Sequence, residues 1–383
     1  MNHPFIRNER EERLFALADG LANRMKKQAA QYDQTGDFPF QHYEWLKESG
    51  YTALSVPKEY GGEALTLTEL VLIQETLAQG DPATAFGVGW HLGILMDLSV
   101  RREWPEAIFK KVCEAVVQKG ELINRAMTEP ATGSPTRGGK PVTTARRSGD
   151  EWVLNGRKTF TTLSPIADRF IVSATIANTD EVAGFLVDRR APGLSFDKTW
   201  DTLAMRATRS DDLVLEEVHL PADAKVETFG KGSELPPAWL LHIPACYLGI
   251  ALSARHDVIR FAESYQPNSL GHPIKDVPRV RDYVGEIELE LIKARHTLYS
   301  VARWWDEAED RRSEMGPELA AAKTIVLEAV HRVVARAMRI VGGQSLYKAL
   351  PFERYYRDVV AGLFNPPTDD SVLTMLAARA FGD

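Results

Sequence analysis

One stretch limits the folds open to this chain more than any other. Val280, Ile287, Ala294 and Val301 recur every seven residues, and Val284, Leu291, Leu298 and Trp305 interleave with them. That spacing lays a single apolar seam along a long helix. A seam of this kind is buried only against other helices, so the C-terminal part is expected to be a four-helix-type bundle. A second such helix is predicted from about Pro317 to Val341, with Val326, Val330, Val333, Ala337 and Ile340 on one side and Gly342-Gly343 as its stop.

The rest of the chain changes character twice. From Asn8 to about Lys119 the pattern is helical, broken by turn signals at Thr35-Gly36-Asp37, Tyr60-Gly61-Gly62 and Gly80-Asp81-Pro82. Thr66 and Glu69 have capping-box spacing at the head of one helix, whose inward side is Leu70, Leu72, Ile73 and Leu77. Short β-branched and aromatic runs follow (VTTARR, EWVLNG, RFIVSATI, AGFLVDR, LSFDKTW, DLVLEEVHL), separated by turn residues. They predict a compact β barrel or sandwich. Strand does not alternate with helix there, which excludes a doubly wound nucleotide fold. The expected class is α+β, with an N-terminal helical domain over 1–120, a β domain over 121–233 and a C-terminal bundle over 234–383.

At 383 residues and 44% hydrophobic content the chain can bury a large core. Its net charge of −7 lacks a basic block, which argues against nucleic acid or an anionic membrane surface as the main partner. Cys113 and Cys246 lie far apart and outside metal-ligand spacing, so no metal is expected and a reducing cytoplasm fits. The polar start MNHPFIRNEREER is not expected to act as an export signal. WLLHIPACYLGIALSA is too short to span a bilayer and contains His242 and Pro244, so it reads as a buried bundle helix.

Two stretches are suited to holding a ligand. AMTEPATGSPTRGGK at 126–140 leaves a strand for a loop of small residues, whose amides and hydroxyls can approach a phosphate or a flat heterocycle. In NGRKTFTTLSPIADRF, an Asn155-Gly156 turn is expected to feed a strand that places Phe160 and Thr162 on one face. Near the end, NPPTDDSVL sets a stiff Asn365-Pro366-Pro367 loop beside Asp369 and Asp370, between two helices.

Taken in order, these runs resemble the acyl-CoA dehydrogenase family. Thr128-Glu129-Pro130 with Gly133-Ser134 is similar to that family's T-E-P-x-x-G-S flavin loop, and WVLNGRKTFTT to the strand pair after it. VPKEYGG, DDLVLEEVHLP, VGGQSLYKALPFERYYRDV and LAARAF resemble further landmarks along the chain. The resemblance implies flavin contacts from Met127, Thr128, Gly133, Ser134, Phe160 and Thr162. It implies FAD as cofactor. Where the family has an arginine for the FAD pyrophosphate, this chain reads Pro267-Asn268-Ser269-Leu270-Gly271; Arg339 is positioned to replace it from a neighbouring subunit, and FMN becomes the alternative.

The implied reaction is α,β-dehydrogenation of an acyl thioester in fatty acid metabolism, with hydride passing to the flavin and electrons to an electron-transfer flavoprotein or another acceptor. A homo-oligomer, tetramer or dimer, is implied as well. The family's base, a glutamate, falls on Pro366 or Pro367, and its alternative position near Trp239. Asp369 and Asp370 are then the nearest replacements, unless they cap the last helix. His91 is the other titratable group to follow, because flavin monooxygenases resembling this family carry a histidine on the corresponding helix; His242 stands beside it as a second. A reduced-flavin, O₂-dependent monooxygenase similar to the dibenzothiophene monooxygenases is the second reading. A non-catalytic flavin- or acyl-CoA-binding protein is the third.

Overall fold

The computed structural model describes residues 3–132, 139–229 and 237–382. The first part is helical: α1 (Glu9–Met25), α2 (Ala29–Thr35), α3 (Phe40–Glu48), α4 (Leu67–Leu77), α5 (Pro82–Arg101) and α6 (Glu106–Lys119). Eight strands follow among the described residues: β1 (Ile123–Ala126), β2 (Thr144–Ser148), β3 (Glu151–Lys158), β4 (Arg169–Ile176), β5 (Val182–Asp188), β6 (Leu194–Asp197), β7 (Asp212–Pro221) and β8 (Lys225–Phe229). The last part contains α7 (His242–Ser264), α8 (Pro278–Glu307), α9 (Gly316–Val341), α10 (Phe352–Ala361) and α11 (Asp369–Phe381).

The apolar seam behaves as its spacing requires. Ile287, Leu291, Ala294 and Leu298 are buried along α8, while Val280, Val284, Val301 and Trp305 pack partly buried toward its ends. On α9, Val326, Val330, Val333, Ala337 and Ile340 are all buried, and Gly342 ends the helix at φ 70°. Thr66 and Glu69 form the capping box of α4. Asp306, near the end of α8, adds a second cap by accepting from the Leu67 and Thr68 amides at 2.9 and 2.8 Å. Each residue of α4 is buried, so it works as a central strut and not as a surface helix. By length and composition α5 could cross a membrane, but 78% of its apolar window lies inside the protein, where it is a core helix.

One eight-stranded sheet forms the middle part, in the order β6-β7-β3-β2-β4-β5-β8, with β1 joined parallel to β4. The β2–β4 pair is also parallel and the other pairs are antiparallel. The expected Asn155-Gly156 turn is instead a point inside β3. The register shifts between Leu154 and Gly156, where β7 takes three residue steps from Val218 to Leu215 against two on β3; the bulge lies in β7, where Glu217 adopts φ 48°, and β3 runs on to Lys158. Gly156, at φ 153°, passes so close to β2's approach that a Cβ there would meet the Thr143 Cα at 2.7 Å. The strand β8 follows the last predicted β run, DLVLEEVHL, and lies within the β domain expected over 121–233.

Candidate functional site

The site forms where β1 and β3 end beside α5 and the start of α7. The Thr159 amide donates to the Thr128 carbonyl at 2.9 Å, which lays the loop after β1 along the end of β3. Beneath that contact, Glu129 and Lys158 form an ion pair at 2.5 Å, with side chains 2% and 0% exposed. Lys158 also donates to Ser173 Oγ at 3.0 Å, and Glu129 accepts from the Thr143 amide at 3.0 Å and from the Val142 amide. Burial pulls the Lys158 ammonium down to about 8 against the attraction of Glu129. Burial alone would raise the Glu129 carboxyl, but Lys158 and the amides of the loop outweigh it and hold it below the usual carboxylate value.

Phe160 and Thr162 lie past the end of β3 and do not share a strand face. Phe160 adopts φ 56° and turns outward, 61% exposed, edge-on to Trp200 with ring centroids 6.0 Å apart. Thr162 turns inward at 6% exposure, its hydroxyl 2.9 Å from Ser210 Oγ, and its carbonyl accepts from the Asn124 side-chain amide. The backbone reversal at Phe160 is the reason: a left-handed residue breaks the alternation that would have paired the two side chains. Met127 and Thr128 stand half-buried at the end of β1. Gly133 and Ser134 lie outside the described residues.

Leu163 abuts α5 at Gly87, where a Cβ would come within 2.9 Å of Leu163 Cδ2 and 2.2 Å of the Tyr43 hydroxyl. Further along α5, Gly89 and Gly93 make room for His242 and Trp239 in the same way. The Trp239 and His242 rings stack at 5.8 Å, and Trp90 stands edge-on to both at 5.4 and 5.2 Å. Gln74 of α4 faces the same notch. The indole nitrogens of Trp90 and Trp239, both ring nitrogens of His242 and both amide atoms of Gln74 are buried without a hydrogen-bond partner in the protein. Burial lowers His242 to about 3, so its ring is neutral. Phe86 links this group to Tyr247, whose hydroxyl donates to Asn365 Oδ1 at 2.9 Å. The Asn365-Pro366-Pro367 loop therefore borders the site.

The titratable candidates take other places. His91, fully buried, donates from Nε2 to the Thr52 carbonyl at 2.9 Å and accepts the Ile123 amide on Nδ1 at 3.0 Å. Burial lowers it to about 4, and both nitrogens are engaged with backbone, so it joins α5 to β1 as a neutral tautomer. Asp369 accepts from Lys323 Nζ at 3.3 Å and Thr324 Oγ1 at 3.1 Å, both on α9. Its charge compensates a lysine that is 2% exposed. Asp370 follows it in the first turn of α11, and the cap position belongs to Thr368. Arg339 sits in the last turn of α9 beside Tyr283 of α8, where Arg279 and Arg339 together lower the Tyr283 phenol. Among the described residues, no group of three or more His, Cys, Asp or Glu is placed to hold a metal.

Three family models match in succession: the N-terminal domain of acyl-CoA dehydrogenases over residues 8–112, the middle domain over 124–218 and the C-terminal domain over 241–379. YdbM of Bacillus subtilis (strain 168), a protein named for the acyl-CoA dehydrogenases, is 47% identical over 98% of this chain and 99% of its own. L-evernosamine nitrososynthase from a Micromonospora species is 28% identical over 92% of this chain and 85% of its own. The structure of KijD3 in complex with FMN and a dTDP-linked amino sugar superposes with a TM-score of 0.87 at 24% identity, covering 98% of this chain and 94% of that one. The chain belongs to the acyl-CoA dehydrogenase family.

Proposed function

We propose that the protein is a flavin-dependent oxidoreductase that uses reduced flavin and O₂ to oxygenate a compact, hydrogen-bonding substrate. The flavin fits the residues present. Phe160 offers an exposed aromatic ring next to the inward-turned hydroxyl of Thr162, and Met127 and Thr128 stand half-buried at the end of β1. When bound, the flavin supplies the two electrons of the reaction. One oxygen atom of O₂ enters the substrate and the other leaves as water, with two electrons and two protons taken from the reduced flavin.

The observation that carries this reading is at the C-terminal loop. The family resemblance puts the proton-abstracting glutamate at Pro366 or Pro367, neither of which can act as a base, and the nearby Asp369 is held by Lys323 and Thr324 of α9. Dehydrogenation of an acyl thioester needs a base within reach of the α-proton, worth about 10²–10⁴ in rate. Oxygen transfer needs no such carboxylate. The substrate class is proposed from the buried polar atoms of Gln74, Trp90, Trp239 and His242 that lack a partner in the protein, which suit a small polar molecule better than an aliphatic acyl chain.

Family membership and the likeness to YdbM favour a second reading, dehydrogenation to the 2,3-enoyl thioester with electrons passed to a carrier protein. Asp369 or Asp370 would then have to act as the base. The two readings differ in their products. Given reduced FMN or FAD under ¹⁸O₂ and a panel of small amines, thioethers and aromatics, the protein is expected to yield a product carrying ¹⁸O. Formation of an enoyl thioester from an acyl-CoA, with no labelled product across the panel, would contradict the oxygenase reading.

A further inference from the structure

A chain of buried hydroxyls runs inward from Thr162. Its Oγ lies 2.9 Å from Ser210 Oγ, Ser210 Oγ lies 3.1 Å from Thr208 Oγ, and Thr208 Oγ lies 2.9 Å from the Met205 carbonyl. All three hydroxyl residues are nearly inaccessible: Thr162 is 6% exposed, Ser210 4% and Thr208 1%. Met205 is fixed at both ends. Its amide donates to Asp358 Oδ1 of α10 at 2.8 Å, and its carbonyl also accepts the Trp200 indole N–H at 3.1 Å.

The direction of each bond follows by counting protons. A carbonyl only accepts, and a hydroxyl has one proton to give. At 2.9 Å from the Met205 carbonyl, Thr208 must aim its proton there, because otherwise two sets of lone pairs would face each other. Ser210 is then the donor to Thr208. Thr162, in turn, is the donor to Ser210. The proton of Thr162 points into the protein, and its outward side carries lone pairs alone.

We propose that Ser210 and Thr208 are positioning residues that make Thr162 a hydrogen-bond acceptor toward the flavin, so that the site prefers the reduced cofactor. The inference rests on the reading that a flavin binds against Phe160 and Thr162. Oxidised flavin has an unprotonated, accepting N5, whereas reduced flavin has an N5–H to donate. A wall that only accepts matches the second form and meets the first with opposed lone pairs.

The test compares the dissociation constants of oxidised and reduced FMN and FAD, measured anaerobically by fluorescence and equilibrium dialysis, with the midpoint potential of the bound flavin as a second reading. Wild type is expected to bind the reduced form more tightly. Ser210→Ala frees the Thr162 proton to turn outward, and Thr208→Val lets the relay reverse; each is expected to lower the preference for reduced flavin by about 3- to 10-fold and raise the affinity for oxidised flavin. Thr162→Val, which has neither proton nor lone pair to offer, is expected to remove the preference. A wild type that binds flavin with a ratio unchanged in both Ser210→Ala and Thr208→Val overturns the relay alone. A wild type that binds neither FMN nor FAD overturns the flavin reading along with it.

Discussion

Replacing Lys158 by methionine is expected to destabilise the protein by about 3–5 kcal/mol and to empty it of flavin. The reason is the partner left behind. Glu129 is 2% exposed, and without Lys158 its charge would keep only the loop amides and the Thr132 hydroxyl in a site closed to water. Breaking one side of a buried pair costs far more than the pair itself is worth, whereas removing both charges together is often close to neutral. The double variant Glu129→Gln/Lys158→Met is therefore expected to recover most of the loss. Urea unfolding monitors the stability, and absorbance of the purified protein monitors the flavin. A loss below about 1 kcal/mol in Lys158→Met would place the pair among ordinary surface ion pairs and contradict this account. Flavin content should follow stability because the same pair holds the loop that carries Met127 and Thr128.

His91, His242 and Asp358 together are expected to lower stability by about 1.4 kcal/mol for each pH unit of acidification between pH 6.5 and 4. Burial lowers His91 to about 4 and His242 to about 3 from an ordinary 6.5. A histidine whose folded pKa is depressed contributes nothing unfavourable above 6.5, where both states are neutral. Below that, the unfolded chain takes up a proton that the folded protein refuses, and stability is lost as the pH falls. Asp358 works in the opposite sense. Burial and the charge of Asp33 push its carboxyl up to about 7, so between 3.8 and 7 the folded protein keeps a proton that the unfolded chain has released. Two protons on the unfolded side against one on the folded side leave a net uptake of one proton on unfolding. His91→Gln, which can keep the bonds to Thr52 and Ile123, removes one of the two and should flatten the dependence. Unfolding free energies at several pH values between 4 and 6.5 read this directly; an unchanged slope in the variant would place His91 in a solvated or charged state that its burial forbids.

Much of the scaffold was legible from spacing, because the physics there is local. The seven-residue seam of α8, the capping box at Thr66 and Glu69, and the glycine stop of α9 each depend on neighbours within a few turns. The site was legible only in outline. Thr128 and Thr162 stood out within motifs, but Glu129 and Lys158, in the same motifs, are 29 residues apart and pair only once the loop after β1 lies along the end of β3. Thr162 and Ser210 are 48 residues apart, so no periodicity announces their bond. The left-handed turn at Phe160 separated the two side chains expected on one face, since alternation holds only while the strand stays extended. His91 stood out as a titratable group on an apolar helix; burial keeps it neutral, and its two backbone partners, 39 and 32 residues away, occupy both ring nitrogens.

Anaerobic mixing of the purified flavoprotein with acyl-CoAs tests the central claim most directly. With Pro366-Pro367 where the family resemblance puts the base and Asp369 committed to Lys323 and Thr324, the flavin absorbance is expected to stay unchanged with short, medium and branched acyl chains. Bleaching by any of them, abolished in Asp369→Asn or Asp370→Asn with flavin content intact, would contradict the account and make the protein an acyl-thioester dehydrogenase with a relocated base.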